Sequence, residues 1–252
     1  MSALEKALSN AKKLKIDEYD ITSVKKKIIT VRITDSEIVE IKQNFDQSFG
    51  IRLIHDKKMA SMQTTNEEEI EQTMSRALSA SSNLKSREFW GGLPSKIEHT
   101  QLEGTFDEKL EYISGAESMD IAQNMIDSAK NDKVNTITGS LHIVSEKFEL
   151  MNSNGLDFSD KATYISGIIN AESEIGQTPV SGIGHACGRT FSNFSPEQIG
   201  KDAKAMCIDS INPQKIDSDI YSIIFEPYSV GELLAFVVAS NFNFKTFSEK
   251  KS

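Results

Sequence analysis

The stretch Ser181-Gly182-Ile183-Gly184-His185-Ala186-Cys187-Gly188-Arg189 holds the residues best suited to chemistry in this chain. On a strand, His185 and Cys187 point to the same face, so an imidazole and a thiol could bind a soft metal or act as a thiolate pair. A zinc centre draws three or four protein ligands, and no other Cys or His lies near in sequence. The expectation is therefore a glycine-rich strand or bend carrying a buried His and Cys. Nor is this a phosphate loop, because no Lys-Ser or Lys-Thr follows the glycines. His55, His99 and His142 are scattered, each reading as a surface or satisfied histidine, and no Gly-x-Ser-x-Gly elbow is present. Motifs alone yield no catalytic, cofactor-binding or metal-binding residue.

The elements that would position such residues belong to an ordinary globular chain: 252 residues, 38% hydrophobic and 26% charged. One large domain or two smaller ones fit that length. A net charge of -9 argues against a phosphate-binding surface, so no direct nucleic-acid contact is expected. The dense basic cluster Lys25-Lys26-Lys27 reads as a solvated strand end or hairpin turn. The most apolar run, Val230 to Ala239, is interrupted by Glu232 and is about half of the roughly 20 residues a membrane span needs. Leu4, Leu8 and Leu14 mark an amphipathic N-terminal helix without the apolar core of a secretory signal, which predicts a cytoplasmic protein with no membrane contact. Two cysteines, Cys187 and Cys207, cannot build a disulfide framework and are expected to stay reduced and mostly buried.

Alternating apolar segments predict strands at 19–23, 28–33, 38–43, 49–55 and 59–64, with Thr34-Asp35-Ser36 and Asp56-Lys57-Lys58 as hairpin turns. Asn66 and Glu69 form an N-cap and N3 pair ahead of a helix lined by Ile70, Met74 and Leu78. Residues 82–105 read as a long surface loop. A second helical region covers 107–130, as one helix or a helix broken near Gly115. Strands are predicted again at 134–145, 147–152 and 163–171. Ser195-Pro196-Glu197-Gln198 opens a helix with Ile199, Ala203 and Met206 on its buried stripe. A final strand is expected at 220–225. Runs of strands, helices and strands again point to an α+β fold of antiparallel or mixed sheets with packed helices. No internal repeat of fixed period is visible.

Several of these stretches together resemble one family, the TldD/PmbA proteins, PmbA being also called TldE and a modulator of DNA gyrase. The resemblance rests on Arg32-Ile33-Thr34-Asp35-Ser36, Gly50-Ile51-Arg52 with its hairpin, and the turn Asn152-Ser153-Asn154-Gly155. It extends to Glu226-Pro227-Tyr228-Ser229-Val230-Gly231-Glu232-Leu233-Leu234, in family order across nearly the whole chain. It implies an N-terminal α+β region over 1–220, with possible sub-regions 1–130 and 131–220, and the start of a C-terminal domain at 221–252 that looks truncated.

In that family the TldD-type subunit carries His-Glu-x-x-x-His directly after the Leu-Leu, supplying zinc ligands and a general-base glutamate. Read without gaps, the two histidine positions fall on Ala235 and Ser240 and the glutamate position on Phe236. The resemblance thus implies a PmbA-type subunit with no cofactor of its own, zinc being held by a TldD-type partner. The complex would be a metallopeptidase acting on unfolded or extended peptides, and the chain would pair with that partner or with itself. The alternatives are a non-catalytic peptide- or protein-binding module and an independent hydrolase using His185 and Cys187.

Overall fold

In a computed structural model, residues 3–95, 102–243, 246–247 and 250 are described. The chain divides into two compact units, 1–212 and 213–252.

The first unit is built on long strands whose alternation persists further than the local apolar pattern suggests. β1 runs Glu18–Thr34 and β2 runs Glu37–His55. Each merges two segments that hydropathy separates, because Lys25 and Lys27 keep the odd-numbered register of Tyr19, Ile21, Ile29 and Val31. The lysine cluster is therefore neither a strand end nor a turn; it lies in mid-strand. Between β1 and β2, Asp35 and Ser36 have φ of 51° and 65°, and between β2 and β3 (Lys58–Thr64) Asp56 and Lys57 have 51° and 59°. Two successive left-handed residues give the hairpin turn whose twist matches that of the flanking strands. β4 (Thr136–Asn152), β5 (Asp157–Ser173) and β6 (Val180–Gly188) form a second meander, β4 again fusing two predicted segments.

All six strands join one antiparallel sheet in the order β3-β2-β1-β4-β5-β6. Each meander is flanked by helices. α1 (Ala3–Lys13) and α2 (Ile70–Ser81) serve the first, α3 (Glu108–Tyr112) and α5 (Pro196–Asp209) the second, and α4 (Gly115–Ala129) packs on strands of both. A sequence without a fixed-period repeat thus folds as two helix–meander–helix halves related by an approximate two-fold between β1 and β4. Two cores result. Leu4, Ile21, Phe49, Ile51 and Met74 anchor one, and Val31 of β1 joins Met125, Leu141, Ile165 and Ile199 in the other, so β1 serves both.

Local chemistry sets the helix ends. The predicted break near Gly115 falls at Ser114, whose hydroxyl accepts from Glu117 N while Glu117 accepts from Ser114 N, a reciprocal capping box. Ser195 caps α5 and Pro196 occupies its first turn, as the sequence predicts. Asn66 caps a short 3-10 turn, Glu67–Glu69, that leads into α2. The described part of the 82–105 loop is tied down. Glu18 accepts from the Trp90 indole at 2.7 Å and from Leu93 N at 2.6 Å, and Leu93 is buried.

The second unit contains α6 (Pro227–Leu233), a π turn over Leu234–Val238 and a 3-10 turn over Ala239–Phe242. The strand expected at 220–225 does not form. Among the described residues its own unit offers no second strand to pair with, and Ile220 and Ile224 are exposed.

Candidate functional site

The glycine-rich run of β6 serves packing. A Cβ on Gly182 would collide with Cys207 N and Ala203 O, and one on Gly184 with Ile199 O, so both glycines let α5 lie backbone-close against the strand. Alternation then turns His185 and Cys187 to the other face of the sheet, opposite Ile168 and Ser166. Both are exposed, which corrects the expectation that they are buried: the glycines, not the His and Cys, occupy the covered face. Cys207 does lie in the core on α5, and burial, with Glu172 nearby, pushes its thiol pKa up. His55 Nδ1 stands 3.5 Å from Asp17 Oδ2, an ion-pair distance when protonated though without hydrogen-bond geometry. His142 Nδ1 meets Thr30 Oγ1 at 3.2 Å. His99 lies outside the described residues. Among the described residues no group of three or more His, Cys, Asp or Glu is placed to hold a metal ion.

The residues that local pattern misses sit at the centre of the sheet, on the face that carries the helices. Pairing puts Gln47, Lys25, Lys147 and Lys161 directly opposite one another across β2, β1, β4 and β5. The three lysines are exposed. Lys147 contacts Glu149 at 2.8 Å and Lys161 contacts Glu111 at 3.2 Å. Lys27, one row along, donates to the carbonyls of Glu111 at 3.0 Å and Ile113 at 2.7 Å, holding the end of α3 over the sheet. Burial lowers its pKa, an effect opposed by Glu111 and Glu117. The signal in the sequence was three separate lysines at inward-facing strand positions, invisible until the register is known.

In the second unit Ala235 and Phe236 fall within the π turn, where Ala239 N donates to Leu234 O five residues back. Such turns recur at functional sites. A methyl group and a phenyl ring offer no lone pair to zinc and no base, so these two positions do not fit the metal site of the resemblance. The side chain of Ser240 lies outside the described residues. Phe236 is 79% exposed, and Leu233, Leu234 and Val237 are exposed with it.

Comparison with known proteins agrees with the resemblance read from the sequence. The PmbA/TldA metallopeptidase domain 1 matches residues 19–81, and the PmbA/TldA metallopeptidase central domain matches residues 107–210. No curated protein matches. Among solved structures, a candidate modulator of a DNA gyrase from Thermotoga maritima is 23% identical, with a TM-score of 0.75 over 86% of this chain and 50% of that one. A candidate modulator of DNA gyrase from Bacteroides thetaiotaomicron is 16% identical, with a TM-score of 0.86 over 99% of this chain and 58% of that one. TldE from Thermococcus kodakarensis is 18% identical, with a TM-score of 0.71 over 81% of this chain and 47% of that one. The chain thus spans about half the length of these proteins, and at such identity they speak for the fold. With two consecutive domain models of one family matched over most of its length, the chain belongs to the TldD/PmbA family.

Proposed function

We propose that this chain is a PmbA/TldE-like subunit, without a metal of its own, in a TldD/PmbA-type metallopeptidase complex that degrades unfolded or extended peptides. The observation that carries the reading is the chemistry at the family's motif positions: Ala235 and Phe236 sit in a π turn with nothing to ligate zinc or accept a proton. Zinc, and the activated water it supplies, then belongs to a TldD-type partner. This chain contributes binding surface and the walls of the chamber. The complex works in the cytoplasm without direct nucleic-acid contact; the net charge of -9 supports the latter, and no described helix is long and apolar enough to cross a membrane.

Co-expression with a TldD-type protein tests this. The two chains should co-elute, and the pair should cleave an unfolded protein such as reduced casein. Cleavage should vanish when the partner's motif glutamate is replaced, and this chain alone should be inactive. Peptidase activity from this chain alone, or two chains that never associate, would refute the reading.

A second reading, a peptide- or protein-binding module with no catalytic partner, is favoured by the open, lysine-floored centre of the sheet. It requires binding by this chain in isolation, with no change in ligand cleavage when a TldD-type protein is added.

A further inference from the structure

The central face of the sheet is a trough with an electrostatic peculiarity. A cavity of about 600 Å3 is lined by Lys25, Lys27, Lys147, Phe45 and Tyr112, and a second of about 330 Å3 by Lys25, Lys147, Gln47 and Phe49. Shared floor residues make them one depression. α1 contributes Ala3 and Leu4 to one end, and the end of α3 contributes Glu111 and Tyr112 to the other. Side chains directly opposite on neighbouring strands lie about 5 Å apart at Cβ, and like charges so placed destabilise a sheet. Here three lysines in succession occupy such positions. Glu149 and Glu111 neutralise Lys147 and Lys161 in part, whereas Lys25, between them and β2, has no carboxylate at ion-pair distance among the described residues.

We propose that this trough is a binding site for a short, extended, acidic peptide segment carrying an aromatic or large apolar residue. Lys161 lies beyond these two cavities, in an adjoining one that shares Lys147, so the row from Lys25 to Lys161 crosses three neighbouring strands and about 10 Å, the reach of roughly three extended residues. Two carboxylates on alternate residues of such a segment fall within that span and face the same side. Phe45 and Tyr112 are 73% and 71% exposed beside the lysines, which gives the segment's apolar side chain a surface to cover. The ligand is short because acidic groups bound the site: Glu67, Glu149 and Asp157 line the α1 end, and Asp46 and Glu111 the other. A net charge of -9 repels any long polyanion outside the trough, which favours a peptide over a nucleic acid. This inference stands whether or not the chain works beside a peptidase.

Fluorescence anisotropy with a labelled Glu-Ser-Glu-Ser-Phe peptide, whose two carboxylates and phenyl ring share one side when extended, and the full chain tests it. Binding should saturate and weaken as ionic strength rises, and the Gln-Ser-Gln-Ser-Phe peptide should bind at least about tenfold more weakly, a difference of about 1.4 kcal/mol. Lys25→Glu should weaken the acidic peptide by at least a similar factor, whereas Lys12→Glu, on α1 outside the trough, should leave it unchanged. Lys25→Gln, which relieves the like-charge row, should keep or raise the melting temperature while weakening binding, separating loss of the site from loss of the fold. Equal binding of acidic and neutral peptides, or equal loss with Lys25→Glu and Lys12→Glu, would overturn the proposal. So would a single-stranded oligonucleotide that outcompetes the peptide through the same lysines, which would assign the trough to a phosphate backbone.

Discussion

Replacing Gly184 by alanine puts a methyl group where β6 and α5 meet backbone to backbone. The new Cβ would lie inside contact distance of Ile199 O and 2.8 Å from Ala203 N, atoms fixed in the helix ladder that cannot rotate aside. Alanine in place of a strand glycine is otherwise favourable by roughly 0.5–1 kcal/mol, through the unfolded chain's smaller freedom. Overpacking a close-fitted interior costs about 1–3 kcal/mol, and blocking atoms that belong to backbone place this site near the upper figure. The net loss is then about 2 kcal/mol, which at about 2–4 °C per kcal/mol for a domain of this size lowers the melting temperature by roughly 4–8 °C. Gly91, with nothing within 4 Å of its built Cβ, is the matched control, and Gly91→Ala should stay within about 0.5 kcal/mol of the parent. Calorimetric melts of the three proteins decide the matter. If Gly184→Ala melts with the parent, the glycine-rich run is not there for helix approach, and a role for its His and Cys regains standing.

Because Cys187 is exposed and Cys207 is buried with its thiol pKa pushed up, a polar thiol reagent should label one cysteine rapidly and the other only on unfolding. Cys187→Ser should remove the fast phase; two fast thiols would contradict the packing of α5. The Glu117 carboxyl is held below its ordinary pKa by hydrogen bonds from Ser114 N at 2.8 Å and Ser114 Oγ at 2.7 Å. A depressed carboxyl stabilises the fold fully above its unfolded pKa of about 4.3 and loses that contribution as pH falls through the lower folded value, so the advantage of the parent over Glu117→Gln should vanish in acid. A gap in melting temperature independent of pH would sink this. In the second unit, Leu233, Leu234, Phe236 and Val237 expose apolar surface, so the sedimentation coefficient of the parent should rise with concentration and that of Phe236→Asp should not. Identical profiles would mean that these side chains drive no association.

The features legible in the sequence were those decided within a few residues. Ser195 and Pro196 fix the start of α5 by local hydrogen bonding and a preset φ, and the two hairpin turns are marked by Asp, Ser and Lys where the chain reverses. Those that were misread depend on partners far away in sequence. Strand length is one: β1 reads as two strands because Lys25 and Lys27 interrupt its apolar alternation, yet the ladders to β2 and β4 run through them unbroken. Burial in β6 is another, since the covered face is chosen by α5, some twenty residues further on, and glycine gives no apolar signal of its own. The 220–225 segment shows the converse. Ile220, Ile223 and Ile224 have strand propensity, but propensity without a neighbouring strand makes no sheet.

Strand and helix geometry together explain why a trough exists, and what they leave unexplained. A strand of 17 residues extends about 55 Å at roughly 3.3 Å per residue. The 11 residues of α1 and the 15 of α4, even laid end to end, cover only about 39 Å at 1.5 Å per residue. β1 therefore outruns these two helices, and Lys25 and its partner Lys147 lie exposed on the helix-side face between the two cores, where the end of α3 reaches only as far as Lys27. Folding therefore demands polar residues there, since an apolar floor would face water. It does not demand one sign of charge. Gln47, in the same row, shows that a neutral side chain satisfies the position, and a lysine opposite a glutamate would have stabilised the sheet instead of straining it. Polarity at the joint is a consequence of architecture, and with Lys147 and Lys161 paired to Glu149 and Glu111 it is Lys25 beside them whose charge an anionic occupant turns to advantage.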